Sequence, residues 1–116
     1  MAWMGTWVNQ YGSKLTITDD AAGRLQGSFR TALTDSGFFG KDFAVAGVHH
    51  GDCISFAFAG ATPKGDMVCS FTGLLREGRM HTMWHVATDA AVEGAGKRAW
   101  PHAVMANADT FERVAA

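Results

Sequence analysis

Residues 24–33 read RLQGSFRTAL, and the order of those ten letters decides the fold. Leu25, Gly27, Phe29, Thr31 and Leu33 fall on one side of an extended chain, and Arg24, Gln26, Ser28 and Arg30 on the other. Clean period-two alternation over this length marks a strand with one face inside and one in water.

The same pattern continues in both directions. Toward the amino end, 13–18 sets Leu15 and Ile17 against Lys14 and Thr16, with DDAAG (19–23) as the turn. Before it, 4–9 is a first strand, ended by Tyr11-Gly12. Toward the carboxyl end, a loop at 34–41 (TDSGFFGK) leads to a fourth strand over 42–48, turned by HHGD at 49–52. A fifth strand, 53–59, carries Ile54, Phe56 and Phe58 on one face, and a loop with Pro63 and Gly65 covers 60–66. A sixth strand spans 67–74. After a turn at 76–78, a seventh over 79–87 puts Met80, Thr82, Trp84 and Val86 on one face. An Ala- and Gly-rich loop at 88–97, whose middle (89–95) can form a helical turn, precedes a last strand over 104–114.

Eight strands at near-regular spacing with short sequential links suit an all-β fold, an eight-stranded antiparallel up-and-down β-barrel. Its interior has room for side chains or one small ligand. The 116 residues make one domain, 1–116, with no internal repeat. Fourteen glycines against two prolines fit tight turns rather than disorder. A net charge of −1 offers nothing to nucleic acid or to an anionic membrane. The apolar run 54–61 is too short to span a bilayer. No basic segment followed by an apolar run opens the chain as given, so a signal peptide is not expected in it.

The faces that carry the large apolar residues also carry Asn9, Ser13, Thr31, Thr82 and Asp109. Buried polar groups need partners. Two readings are open. A ligand site mixes aromatic walls, here Phe29, Phe56, Phe58, Phe71 and Trp84, with a few orienting polar groups. Alternatively, Asn9 and Ser13 lie at strand ends and bond local backbone or water.

Other chemistry finds less support. Folding the 53–74 hairpin about Thr62-Pro63 sets Cys69 opposite Phe56 and inward, while Cys53 points outward, which disfavours a disulfide. No histidine shares the inward face of Cys69 to serve as a base, so no catalytic residue is expected. His49 and His50 point oppositely, and His81 and His85 lie ~13 Å apart on a strand, so no metal is expected either.

Five segments in order carry a family resemblance: GTWVNQYGS (5–13), LQGSFRTAL (25–33), FTG (71–73), TMW (82–84) and DTF (109–111). Together they resemble the avidin and streptavidin family over essentially the whole chain. The resemblance implies non-catalytic binding of biotin in the barrel mouth, with no cofactor. It implies that Asn9 and Ser13 bond the ureido oxygen, and that Thr31 and Asp109 accept from the ureido nitrogens. Trp84 and Phe71 pack on the ring system, with Phe56, Phe58 and Val86 among the walls. Leu33 and Asp35 sit near the valeryl chain and its carboxylate, and Trp100 resembles a tryptophan lent to a neighbouring subunit's pocket. Met83, Ala106 and Ala108 match positions that pack between subunits, so a homo-oligomer, dimer or tetramer, is implied, as is a secreted or periplasmic location.

The departures fall on the same positions. The family's third-strand tyrosine is Phe29, which removes a hydroxyl worth ~1–3 kcal/mol to a polarised oxygen. A tryptophan becomes Phe56. The threonine facing the ligand sulfur becomes Cys69, a poorer donor. A serine meeting the carboxylate becomes Met67. Asp35 repels a carboxylate, and Trp100 stands one residue further from Asp109 than the family spacing. These changes imply weaker binding than the family's tightest examples and favour a ligand without a free carboxylate, such as a biotinyl amide. Two rivals remain. A lipocalin-like carrier of an apolar ligand has a dominantly apolar interior and no need for Asp109. A degenerate oligomeric barrel serving as a structural module has Phe58, Met67 and Phe71 collapsed inward.

Overall fold

In the computed structural model, described at residues 3–33, 39–62, 65–89 and 104–114, eight strands follow one another around a closed ring. They are β1 (Gly5–Asn9), β2 (Lys14–Asp19), β3 (Arg24–Arg30), β4 (Phe43–His50), β5 (Cys53–Thr62), β6 (Gly65–Arg76), β7 (Arg79–Asp89) and β8 (Val104–Arg113). A 3₁₀ turn at Ala21–Gly23 links β2 to β3. Every neighbour is antiparallel, and β8 returns to β1 through Trp7↔Arg113, Val8↔Glu112 and Asn9↔Phe111. Closure joins the first strand to the last, so the sheet has no free edge strand among the described residues. The seam is reinforced where the Arg113 guanidinium lies 4.4 Å above the Trp7 ring and Val114 N–H donates to Thr6 O at 2.8 Å.

The pole where β1, β3, β5 and β7 end is the mouth; the opposite pole is the base. The base is packed with Trp3, Trp7, Leu15, Ile17, Leu25, Ile54, Met80 and Phe111, all buried. Its polar groups are matched. Trp7 Nε1 donates to Trp3 O at 2.9 Å, Trp3 N–H to the buried Asp20 carboxylate at 3.3 Å, and His49 Nε2 to Asp20 O at 2.7 Å. Nearer the mouth the core is aromatic. Phe29 stacks on Phe58 at 4.9 Å and tilts against Phe71 at 5.6 Å, while Phe56 stacks on Phe71 at 4.9 Å. Two inward glycines let the sheet bend this tightly. A Cβ at Gly27 would stand 2.0 Å from Thr16 O, and one at Gly47 2.1 Å from Ser55 O.

Several strand ends differ from the sequence expectation. β3 stops at Arg30 rather than 33. The reason is local: Ser13 Oγ takes the Ala32 N–H at 2.8 Å and Thr31 Oγ1 takes the Leu33 N–H at 3.2 Å, so side chains replace the ladder there. Most of the expected loop at 60–66 is strand, with pairing maintained to Thr62↔Gly65. Gly60 permits this, because a Cβ there would meet the Phe43 ring at 2.5 Å. The hairpin centre therefore moves by one residue, and Cys69 faces Phe58 rather than Phe56, with Phe56 opposite Phe71. A one-residue shift of the centre moves the pairing by two and preserves which side chains face inward. Cys69 is accordingly buried and Cys53 exposed, both free. His49 and His50 belong to β4, leaving only Gly51-Asp52 as the turn. The expected helical turn after Asp89 lies outside the described residues.

Candidate functional site

β1 and β2 are short, at five and six residues, whereas β5 to β8 run ten to twelve. The short side brings a main-chain turn down to the level of the interior at residues 10–13. Asn9 closes that turn, with its backbone N–H on Ser13 O and its O accepting from Gly12 N–H, both at 3.0 Å. The Asn9 side chain is then fixed in orientation. Its Oδ1 accepts from Tyr11 N–H at 3.0 Å and Ser13 N–H at 2.9 Å, which commits Nδ2 to donate. One Nδ2 hydrogen goes to Asp109 Oδ2 on β8 at 3.0 Å.

Asp109 is 6% exposed, and both of its oxygens accept from neutral amides. The second amide is Gln10 Nε2, at 3.3 Å from Oδ1. Thr82 on β7, opposite Asp109 in register, donates its hydroxyl to Asp109 O at 2.8 Å. The second half of the cluster joins Ser13 Oγ to Thr31 Oγ1 at 3.4 Å. Asn9, Ser13, Thr31, Thr82 and Asp109 are all buried, and each has a partner. The Asn9 side-chain carbonyl serves the backbone of its own turn, Ser13 Oγ and Thr31 Oγ1 take the N–H groups of Ala32 and Leu33, and the cluster ties the neighbouring strands β1, β7 and β8 together.

Around it stand Phe29, Phe56, Phe58, Cys69, Phe71 and Val86, all buried, with Trp84 half-buried on β7 opposite Phe71. Burial, and after it the Asp109 carboxylate, pushes the Cys69 thiol up to about 12. It is a protonated, weakly polar wall group at neutral pH. Met67 is buried two pairs nearer the mouth, opposite Gly60. Leu33 lies beyond the end of β3 and is 39% exposed, so it stands outside the interior rather than in it. Asp35 and Trp100 lie outside the described residues. Met83, Ala106 and Ala108 are exposed on the outer surface.

Gln10 is the participant that sequence reasoning missed. Alternation places it outside, and nothing in its neighbours distinguishes it. Only closure of β1 on β8 brings it to Asp109, 99 positions away.

A closed barrel with a hydrogen-bonded polar cluster walled by aromatic rings defines a class of protein able to enclose one small polar ligand. The Avidin family model matches residues 1–114, and the chain belongs to the avidin family. Among solved structures, it is similar to bradavidin2 in its biotin complex, with 21% identity over 96% of both chains and a TM-score of 0.78. It is similar to rhizavidin in its biotin complex, with 20% identity, 97% of this chain and 92% of that one covered, and a TM-score of 0.79. It is also similar to apo shwanavidin, with 24% identity, 97% and 96% covered, and a TM-score of 0.77. At these identities the likeness is one of fold. No curated protein matches the chain.

Proposed function

We propose that this barrel binds biotin, or a ligand with the same cyclic ureido head, in its mouth and performs no chemistry on it. The observation that carries the reading is the direction of each hydrogen bond in the polar cluster. With Asn9 Oδ1 saturated by backbone, Nδ2 retains one hydrogen after Asp109 has taken the other. Ser13 Oγ accepts from Ala32 N–H, and from the Thr31 hydroxyl if that group donates, which leaves the Ser13 hydroxyl hydrogen to give. Two donors thus remain on one side, fit for a urea oxygen. Asp109 and Thr31 Oγ1 remain as acceptors on the other, fit for two urea N–H groups. The ionised carboxylate makes the stronger of these contacts. Trp84, Phe71, Phe56 and Phe58 supply the walls, and two of the similar solved structures are biotin complexes. With Phe29 in place of a hydroxyl-bearing ring, affinity falls below the family's tightest examples. Asp35 and Leu33 are assigned to the tail of the ligand, and Trp100 to a neighbouring subunit's mouth. The chain acts as a homo-oligomer, supported by the apolar outer surface around Met83, Ala106 and Ala108.

A second reading is favoured by ring contacts between non-adjacent strands, Phe29 of β3 reaching Phe58 of β5 and Phe71 of β6. Phe58, Met67 and Phe71 are buried in the barrel, as a filled, structural module requires. Thermal unfolding with and without biotin separates the two. A ligand at a hundredfold excess over Kd stabilises the folded state by about 2.7 kcal/mol, or roughly 10 °C for a domain of this size. No shift with biotin or a biotinyl amide would leave the structural reading in its place.

A further inference from the structure

We infer that Gln10 is a positioning residue that aims the Asp109 carboxylate at the ligand, although Gln10 itself lies exposed on the outside of the barrel. The inference rests on the ureido reading of the site. The β1–β8 ladder ends at Asn9↔Phe111, because the main chain leaves β8 to make the turn at 10–13. Backbone groups of 108 and 110 on β8 therefore lose their main-chain partner, just where Asp109 turns inward. The Gln10 side chain replaces it. Its Oε1 accepts from Thr110 N–H at 2.9 Å and its Nε2 donates to Ala108 O at 3.2 Å. A primary amide carries the same donor and acceptor as a peptide unit, so it continues the ladder by one step.

The same Nε2 reaches Asp109 Oδ1 at 3.3 Å, while Asn9 Nδ2 holds Oδ2 at 3.0 Å. The terminal torsion of an aspartate is soft, so a carboxylate gripped at one oxygen can swing. Gripped at both, by consecutive residues, its plane is set. The lone pairs left over have a defined direction for a ligand N–H. Gln10 is exposed, and its own packing contributes little that would explain three hydrogen bonds to one short segment.

Gln10→Glu tests the assignment. When protonated, the introduced carboxyl can donate to Asp109 Oδ1 as glutamine does. When ionised, it has no hydrogen to give and repels the first carboxylate, so Oδ1 loses its grip and the Asp109 plane is no longer set for the ligand N–H. Biotin affinity of the full chain is measured by calorimetry at pH 5 and pH 8, beside the Asp109 carboxyl resonance of the ligand-free protein across the same range. The expected result is a variant-to-wild-type ratio of Kd that grows by about tenfold between pH 5 and pH 8, with the Asp109 titration moved upward. A ratio constant with pH overturns the inference, because a merely structural loss at the seam weakens binding equally at both. A wild type that binds no biotin overturns the ureido reading instead. The Asp109 resonance then decides the Gln10 coupling by itself: moved, the coupling stands; unmoved, it falls.

Discussion

Asn9 and Asp109, one hundred positions apart in the chain, are joined by a single 3.0 Å hydrogen bond whose direction is dictated by the turn beside it. Because Tyr11 and Ser13 N–H groups hold the Asn9 carbonyl, the amide nitrogen has no choice but to donate.

Asp109→Asn follows from that direction. An asparagine there presents one oxygen and one nitrogen to two donors, Asn9 Nδ2 and Gln10 Nε2, so one contact becomes donor against donor. The ligand also loses its charged acceptor. Biotin affinity, read by calorimetry, is expected to fall by about one to two decades, and the melting temperature of the ligand-free protein to fall with it. An unchanged Kd would remove Asp109 from the site.

Phe29→Tyr is expected to act in the opposite sense. Phe29 is buried against Phe58 and Phe71, on the strand that leads to Thr31. A hydroxyl on its ring supplies one further donor to the ureido oxygen, and biotin should bind about tenfold more tightly or better. Equal or weaker binding means that the ring does not point at the ligand head.

The two cysteines should differ in reactivity and in their effect on alkaline stability. Exposed Cys53 reacts with a thiol reagent at pH 8 in the native protein; buried Cys69 does so only after unfolding. Its folded pKa of about 12 lies above the ordinary value of 9.0. The stabilisation is therefore complete below pH 9 and is lost as pH rises toward 12, where the unfolded chain ionises first. Denaturant melts of wild type and Cys69→Ser, taken at pH 8 and pH 10.5, should show the wild type losing more stability between the two. Equal losses would refute the assignment of this thiol.

The base turns offer a test of the backbone. Ala22 and Glu77 adopt left-handed conformations with φ of 59° and 52°. Ala22→Gly and Glu77→Gly relieve that strain and should raise stability by about 0.5–1 kcal/mol each. Gly47→Ala should cost several times as much, since its methyl falls on Ser55 O and Phe56. Urea melts measure all three, and a stabilised Gly47→Ala would contradict the bend described at that position.

Much of this was legible because inward and outward positions alternate strictly. Asn9, Ser13, Thr31, Thr82 and Asp109 could be assigned to the interior from parity alone, and parity survived even where the 53–74 pairing was displaced. Strand ends were less legible. The end of β3 depends on Ser13 and Thr31 taking backbone N–H groups at 32 and 33, a competition that pattern does not express. Gln10 could not be read at all, since its role exists only once the first and last strands meet. Trp100 and Asp35 take their places from family spacing alone and lie outside the described residues.

The β1–β8 seam has one more implication. Trp3 and Val114 both lie at the base, the pole opposite the polar cluster, with Trp3 buried and Val114 bonded to Thr6. A tether attached at either end of the described chain leaves from the same side of the molecule and away from the opening. Immobilised on a support or fused to a carrier through either end, the barrel turns its mouth toward solution.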